Sequence, residues 1–251
     1  MSGDDRELVT QQRVLQLFRE KLKYKYIGNL REQENSNIIE TKLKEYLLGQ
    51  GYSEELCRRA INSLTAASRI SDLTEANRAV YSLLHYGSSE QEHVGVPHQT
   101  VNFINWVKPL ENDFYVAEEV TITGQHTKRP DIVLYINGIA VCVLELKRSC
   151  VSVSRGIRQN IDNQQEEFIR PFFSTIQLVM AGNNTEGLRY GTILTPEKFY
   201  MEWKEEATAK DALSLCIRKL CLDEDYKLDR HLISLCQKQR LLDLIYSFIV
   251  F

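Results

Sequence analysis

The chain has 251 residues, of which 43% are hydrophobic and 26% charged, which excludes a disordered tail, a collagen and a disulfide-stapled miniprotein. A total of 31 Lys and Arg against 34 Asp and Glu leaves a net charge of −3, which excludes a histone-like coat of positive charge. Any nucleic-acid site on such a chain must be a local basic patch.

Met1 to Glu20 is polar and charged, with no apolar stretch of the kind a secretory signal needs. Asn37 to Leu48 (NIIETKLKEYLL) places apolar residues at Ile38, Ile39, Leu43, Tyr46 and Leu47, a helical stripe. Asn37 and Glu40 are spaced like a capping pair, and Gly49 and Gly51 end the helix. Glu54 to Ser68 and Thr74 to Tyr86 predict two further helices, the second capped by Thr74 and stopped by Gly87. His93 and His98 share a Gly/Pro-containing loop and read as surface histidines rather than zinc ligands.

From about residue 94 the pattern turns to strands. Phe114 to Thr123 is β-branched and aromatic around Glu118 and Glu119, and Ile132 to Ile136 and Ile139 to Leu146 are apolar runs flanking Asn137-Gly138. Ser154 to Phe168 reads as a polar helix and Ile176 to Ala181 as a buried strand. Ala207 to Cys221 and Arg230 to Phe248 are helical again. This order predicts an α/β fold with a mixed central sheet flanked by helices, the later strand being reached by a helical crossover. It divides into an N-terminal helical flank (1–70), a core (71–205) and a C-terminal helical segment (206–251).

Leu241 to Phe251 is interrupted by Asp243 and too short to span a bilayer. It stops on Ile249-Val250-Phe251 without a polar cap, which predicts a natural chain that continues; the alternative is a terminal element tucked into the core. The six cysteines (Cys57, Cys142, Cys150, Cys216, Cys221 and Cys236) form no Cys-x-x-Cys and no zinc-spaced cluster. Without a signal peptide they read as reduced core thiols of a cytoplasmic protein.

The stretch that carries chemistry is Arg129-Pro130-Asp131, followed after thirteen residues by Glu145-Leu146-Lys147. On a strand, Glu145 and Lys147 share one face and Leu144 and Leu146 the other. An apolar central strand ending in an acid and a lysine must leave the sheet there or open onto a site, because burying such charges unpaired is costly. If Asn137-Gly138 is a simple two-residue turn, Asp131 falls opposite Leu144, on the wrong face. A three-residue loop, Ile136-Asn137-Gly138, pairs Asp131 with Val143 and sets it diagonal to Glu145, roughly 7–8 Å apart at Cα. A catalytic role therefore predicts that loop or an equivalent bulge. Two carboxylates there suit a hard cation such as Mg²⁺, which polarises a phosphate and activates water, while the lysine positions the water or stabilises the developing charge. The plain alternative is a turn aspartate and a solvated Glu/Lys pair on an edge strand.

The order of elements and Pro130-Asp131 … Glu145-Leu146-Lys147 resemble the PD-(D/E)xK nuclease superfamily. More narrowly, NDFYVAEEVTI…RPDIVLYINGIAVCVLELKR, with Asn77-Arg78-Ala79 upstream, is similar to the N-terminal nuclease domain of the restriction (R) subunit of type I restriction–modification enzymes. The resemblance covers about residues 72 to 205. It implies a restriction-endonuclease-like core, with Asp131, Glu145 and the carbonyl of Leu146 as Mg²⁺ ligands and Lys147 as the catalytic lysine. The family's Gln-x-x-x-Tyr motif falls on Gln159, with Asn163 in place of the tyrosine. A further acid from an early helix often completes such a site; Glu75 is the first candidate and Glu40 the second. Lys128, Arg129, Arg148, Arg155 and Arg158 flank the site as candidate DNA-phosphate contacts.

The resemblance further implies ATP-driven motor domains elsewhere in the protein, since no phosphate-cradling Gly-x-x-x-x-Gly-Lys-Ser/Thr is present here. Double-stranded DNA and the specificity and methyltransferase subunits are the implied partners, with no membrane. The expected function is a Mg²⁺-dependent endonuclease domain without sequence specificity of its own. The alternatives are a catalytically weak DNA-binding or docking module of the same fold and a stand-alone repair or junction nuclease.

Overall fold

Every residue of the runs Phe114–Glu118, Ile132–Ile136, Ile139–Leu146 and Leu178–Asn183 is buried, as expected of central strands covered on both faces. The computed structural model describes residues 3–204, 210–222 and 224–249. It opens with α1 (Gly3–Glu20), β1 (Lys25–Asn29), α2 (Glu40–Gly49), α3 (Glu54–Ser68) and α4 (Leu73–Tyr86). Two short strands follow, β2 (Ser88–Glu90) and β3 (Gln99–Val101), which pair only with each other. The core is β4 (Phe114–Glu118), β5 (Ile132–Ile136), β6 (Ile139–Leu146), α5 (Val153–Asn163), β7 (Leu178–Asn183), β8 (Gly187–Gly191) and β9 (Met201–Glu202). The last helices are α6 (Ala212–Cys221), α7 (Lys227–Cys236) and α8 (Lys238–Phe248).

The seven-stranded sheet runs β1-β4-β5-β6-β7-β8-β9. Strands β4, β5 and β6 form an antiparallel meander, and β7 lies parallel to β6 because α5 carries the chain back across the sheet. One face packs with α1, α3 and α7, through residues such as Phe18, Leu64, Leu134, Leu144 and Leu232. The other packs with α5 and a 3₁₀ turn, Arg170–Ser174, through Tyr135, Val143, Val153, Ile157 and Phe173. The predicted mixed α/β sheet with helical flanks is therefore the observed architecture.

The hairpin that sets the site departs from the three-residue loop. Ile136 pairs with Ile139 across Asn137 (φ 53°) and Gly138 (φ 92°), the left-handed pair of a two-residue turn. The Asn137 amide donates to Phe103 O and Asn112 Oδ1, both at 2.8 Å, and its oxygen accepts from Asp113 N at 2.7 Å. Beyond the turn Tyr135 pairs with Ala140 but Leu134 pairs with Cys142, so Val141 is an extra residue, a β-bulge. Val141 and Cys142 both join the first cluster, while Ala140 and Val143 join the second. The bulge advances β6 by one residue and continues the register from Ile132↔Leu144 to Asp131 opposite Glu145. The equivalent bulge, rather than the longer loop, is what the molecule uses.

Other differences have local causes. Residues 1–20, read only as polar, contain α1, whose Val14, Leu15, Leu17 and Phe18 are buried. Asp72, not Thr74, caps α4 by accepting from Glu75 N at 2.9 Å, whereas Gly87 ends it at φ 79° as expected. Helix α2 starts at Glu40 with Ile39, which has no side-chain acceptor, at the cap position, while the Asn37 amide donates to Ser174 Oγ at 2.9 Å. The run from Arg230 to Phe248 is two helices, since Gln237 is extended and caps α8 through Gln239 N and Arg240 N. Strands β1, β8 and β9 had no counterpart in the sequence reading. The helix expected over 207–221 is observed from Ala212; its first residues, 207–209, and the terminal Val250 and Phe251 lie outside the described residues.

All six cysteines are free; Cys57, Cys142 and Cys236 are buried, but Cys150 and Cys216 are exposed and Cys221 is intermediate, so only half are core thiols. Among the described residues no helix is long and apolar enough to cross a membrane.

Helix α7 is docked by His231, whose Nδ1 accepts from Leu188 N at 3.2 Å. Burial pushes the His231 imidazole down to about 4, with Lys227 acting in the same direction. The unfolded chain, with a histidine pKa of about 6.5, takes up the proton first, so the stability this contact supplies is complete above about pH 6.5 and is lost as pH falls towards 4. The drop in urea midpoint between pH 7 and pH 4.5 is expected to be larger in the wild type than in His231→Asn.

Candidate active site

Asp131 lies one residue before β5 and Glu145 one residue before the end of β6, so the register of that hairpin alone makes them face each other. The Asp131 backbone is fixed by Glu119 N donating to its carbonyl at 2.9 Å, and Glu119 itself leaves β4 through a left-handed turn (φ 52°). Asp131 Oδ2 accepts from Leu146 N at 2.7 Å, and Lys147 N donates to Gly182 O of β7 at 2.9 Å. Both strand ends are thereby anchored where the charged side chains leave them.

Glu145 is 1% exposed. Its Oε1 accepts from Lys147 Nζ at 2.8 Å, while Oε2 is buried and no donor among the described residues reaches it. Burial and, second, the negative charge of Asp131 push the Glu145 carboxyl well above the usual carboxylate range, although Lys147 pulls the other way. A buried carboxylate with an unpartnered oxygen beside a second carboxylate is unfavourable on its own and fits a cation. Asp131 and Glu145 are the residues that could hold one, by hard oxygen ligands that suit Mg²⁺. Among the described residues no group of three or more His, Cys, Asp or Glu converges as a complete metal cluster. A cation here would take its remaining oxygens from backbone, water or substrate.

Helix α5 roofs this pair. Its buried face is Val153, Gly156, Ile157, Asn160 and Asn163, and Asn160 donates to Met180 O at 2.9 Å. Gly156 permits the close approach: a Cβ there would lie 3.1 Å from Ala181 Cβ and 3.5 Å from Cγ of both Glu145 and Lys147. This glycine was missed by the sequence reading; its only signal was a glycine inside an otherwise regular amphipathic helix.

The outer flank of α5 borders an open groove of about 530 Å³. Lys128, Lys147, Arg148, Arg155, Arg158 and Gln159 all line it, together with Asp162. One sheet end thus gathers the Glu145–Lys147 pair, the amide and most of the predicted basic residues. Arg158 is bound in a two-pronged pair by Glu197, Nε at 2.8 Å and Nη2 at 3.0 Å. Lys128 Nζ sits 4.0 Å above the Phe168 ring.

Four predicted residues lie elsewhere. Arg129 turns to Glu119 Oε2 at 3.3 Å. Asn163 is 1% exposed on the sheet-facing side of α5, so Asp162, not Asn163, borders the groove. Glu75 starts α4, which is tied through Asn77 to Phe173, Ser174 and Ile176 before β7, the opposite end of the sheet from Glu145. Glu40 lines a separate cavity with Asn35, Arg69 and Phe172.

A family model described as type I restriction enzyme R protein N terminus matches residues 5–199. No curated protein matches the chain.

Proposed function

The chain belongs to the family of type I restriction enzyme R protein N termini, and from that premise we propose that it is a Mg²⁺-dependent endonuclease domain that hydrolyses DNA phosphodiester bonds without sequence specificity of its own. The observation that carries this reading is the buried, unpartnered Oε2 of Glu145, facing Asp131 and paired through Oε1 with Lys147.

On this reading Asp131, Glu145 and the Leu146 carbonyl hold Mg²⁺, which when bound polarises the phosphate and lowers the pKa of water. Lys147 Nζ, held at Glu145, places a positive charge beside the reacting phosphate, where it positions the attacking water and stabilises the added negative charge. Water adds to phosphorus, one P–O bond breaks, and the leaving oxygen collects a proton. Lys128, Arg148 and Arg155 hold the flanking phosphates, and Gln159 reaches the same strand from α5. Target choice falls to specificity and methyltransferase subunits, and ATP to motor domains of the R protein.

The test is supercoiled-plasmid cleavage in Mg²⁺ by the R protein assembled with its partner subunits and ATP. Asp131→Ala, Glu145→Ala and Lys147→Ala each abolish cutting; unchanged cleavage in these variants overturns the site. The 251-residue chain alone is expected to cut weakly, and robust ATP-independent cutting by it favours a stand-alone nuclease instead.

The groove makes a separate prediction. Arg155→Ala weakens DNA binding and lowers the salt slope by about 1, whereas Arg158→Ala does less because Glu197 already engages its guanidinium. Equal losses in a salt titration of both variants would show that Glu197 releases Arg158 to DNA.

A further inference from the structure

The loop from Arg148 to Ser152 joins Lys147 to α5, and Ser149, Cys150 and Ser152 are exposed. It is held from one side by the turn between β7 and β8. Asn183, fully buried, donates from Nδ2 to Val151 O at 2.8 Å and to Glu186 Oε1 at 3.1 Å. Its Oδ1 accepts from Thr185 N and Glu186 N, at 3.0 and 2.6 Å, which shapes the turn itself. Glu186 Oε1 then accepts from Val153 N, the first residue of α5, at 2.9 Å. Thr185 Oγ1 adds a bond to Ser149 O at 3.3 Å.

We propose that Asn183 and Glu186 are positioning residues for the nuclease site, an inference that rests on the function proposed above. They touch none of the reacting groups. Their bonds set the start of α5, and α5 in turn carries Arg155 and Gln159 and presses Gly156 against Glu145 and Lys147. The carboxylate of Glu186 also occupies an N–H at the helix N-terminus, a place that otherwise attracts an anion. That leaves phosphate binding to the flank of the helix, where the arginines are.

The experiment compares Glu186→Ala, Glu186→Gln and Glu145→Ala in the assembled enzyme on supercoiled plasmid, with Mg²⁺ titrated. Glu186→Ala is expected to lower the maximal rate about tenfold or more, with the Mg²⁺ concentration for half-maximal rate unchanged, as a displacement of about 1 Å does. Glu186→Gln, whose amide oxygen still accepts from Val153 N, recovers most of that rate. Wild-type cleavage by Glu186→Ala overturns the proposal. So does a Gln variant no better than Ala, with melting temperature and Mg²⁺ response falling together, since that marks a merely structural turn. If the wild type cuts no better than Glu145→Ala, it is the nuclease reading that fails. Positioning is then judged by binding to a short duplex: Glu186→Ala weakens it and flattens its salt dependence and Glu186→Gln does not, and equal binding by all three overturns the proposal.

Discussion

Glu145→Gln is expected to abolish cleavage, by roughly a thousandfold or more, and at the same time to raise the melting temperature of the metal-free protein. Both effects come from one carboxylate. Its charged form is disfavoured first by burial and then by Asp131, so its folded pKa lies above the unfolded value of about 4.3. Stability linked to this group is therefore present at low pH and lost as pH rises through the folded pKa. The glutamine still accepts from Lys147 but carries no charge, so its advantage over the wild type grows as pH rises above the unfolded value. The scale is a few degrees, at roughly 2–4 °C per kcal/mol for a domain of this size. Mg²⁺ is expected to raise the melting temperature of the wild type and not of the variant. An equal Mg²⁺ shift in both proteins would remove Glu145 from the ligand set.

Lys147→Met has the opposite signature. It is also expected to stop cleavage, but it leaves both carboxylates in place without the lysine's charge, so Mg²⁺ binding is expected to be retained or tightened. The Lys147 side chain is 14% exposed and its partner 1%, and removing one member of such a pair costs up to about 3–5 kcal/mol. Protonation of Glu145 relieves that cost, so the variant is least stable at high pH and recovers as pH falls. Calorimetric titration with Mg²⁺ and melting curves at two pH values separate the two variants. A Lys147→Met protein that loses Mg²⁺ binding along with cleavage would mean that the lysine builds the cation site instead of acting on the substrate.

The central hairpin was legible because Ile132 to Ile136 and Ile139 to Leu144 are unbroken apolar runs on either side of a left-handed Asn-Gly pair, and both strands have the expected ends. The opposition of Asp131 and Glu145 was legible only conditionally: pattern demanded a loop or a bulge, and nothing in the residues around Val141 marks which. Helix α1 was hidden because its apolar residues, Val14, Leu15, Leu17 and Phe18, sit in one short stripe of a polar segment. Strands β1 and β9 escaped notice because edge positions lack the continuous apolar signal of central strands. The basic groove was visible as a group of residues but not as a shape, since Lys128 comes from before β5 and the arginines from beyond β6. Asn183 and Glu186 carry no motif at all; their role exists only through the backbone they hold.

The bulge at Val141 also turns a spacing into a rule of parity. Two residues that face each other across a hairpin with a two-residue turn are separated by an even number of residues, because every other residue between them is paired off. Asp131 and Glu145 are separated by thirteen. An odd count cannot close on that turn without one residue left over, so the kink in β6 is written into the distance between the acids and not into the identity of Val141. Any chain that keeps this turn and an odd interval must carry a leftover residue somewhere along the two strands, and one with an even interval has no need of it.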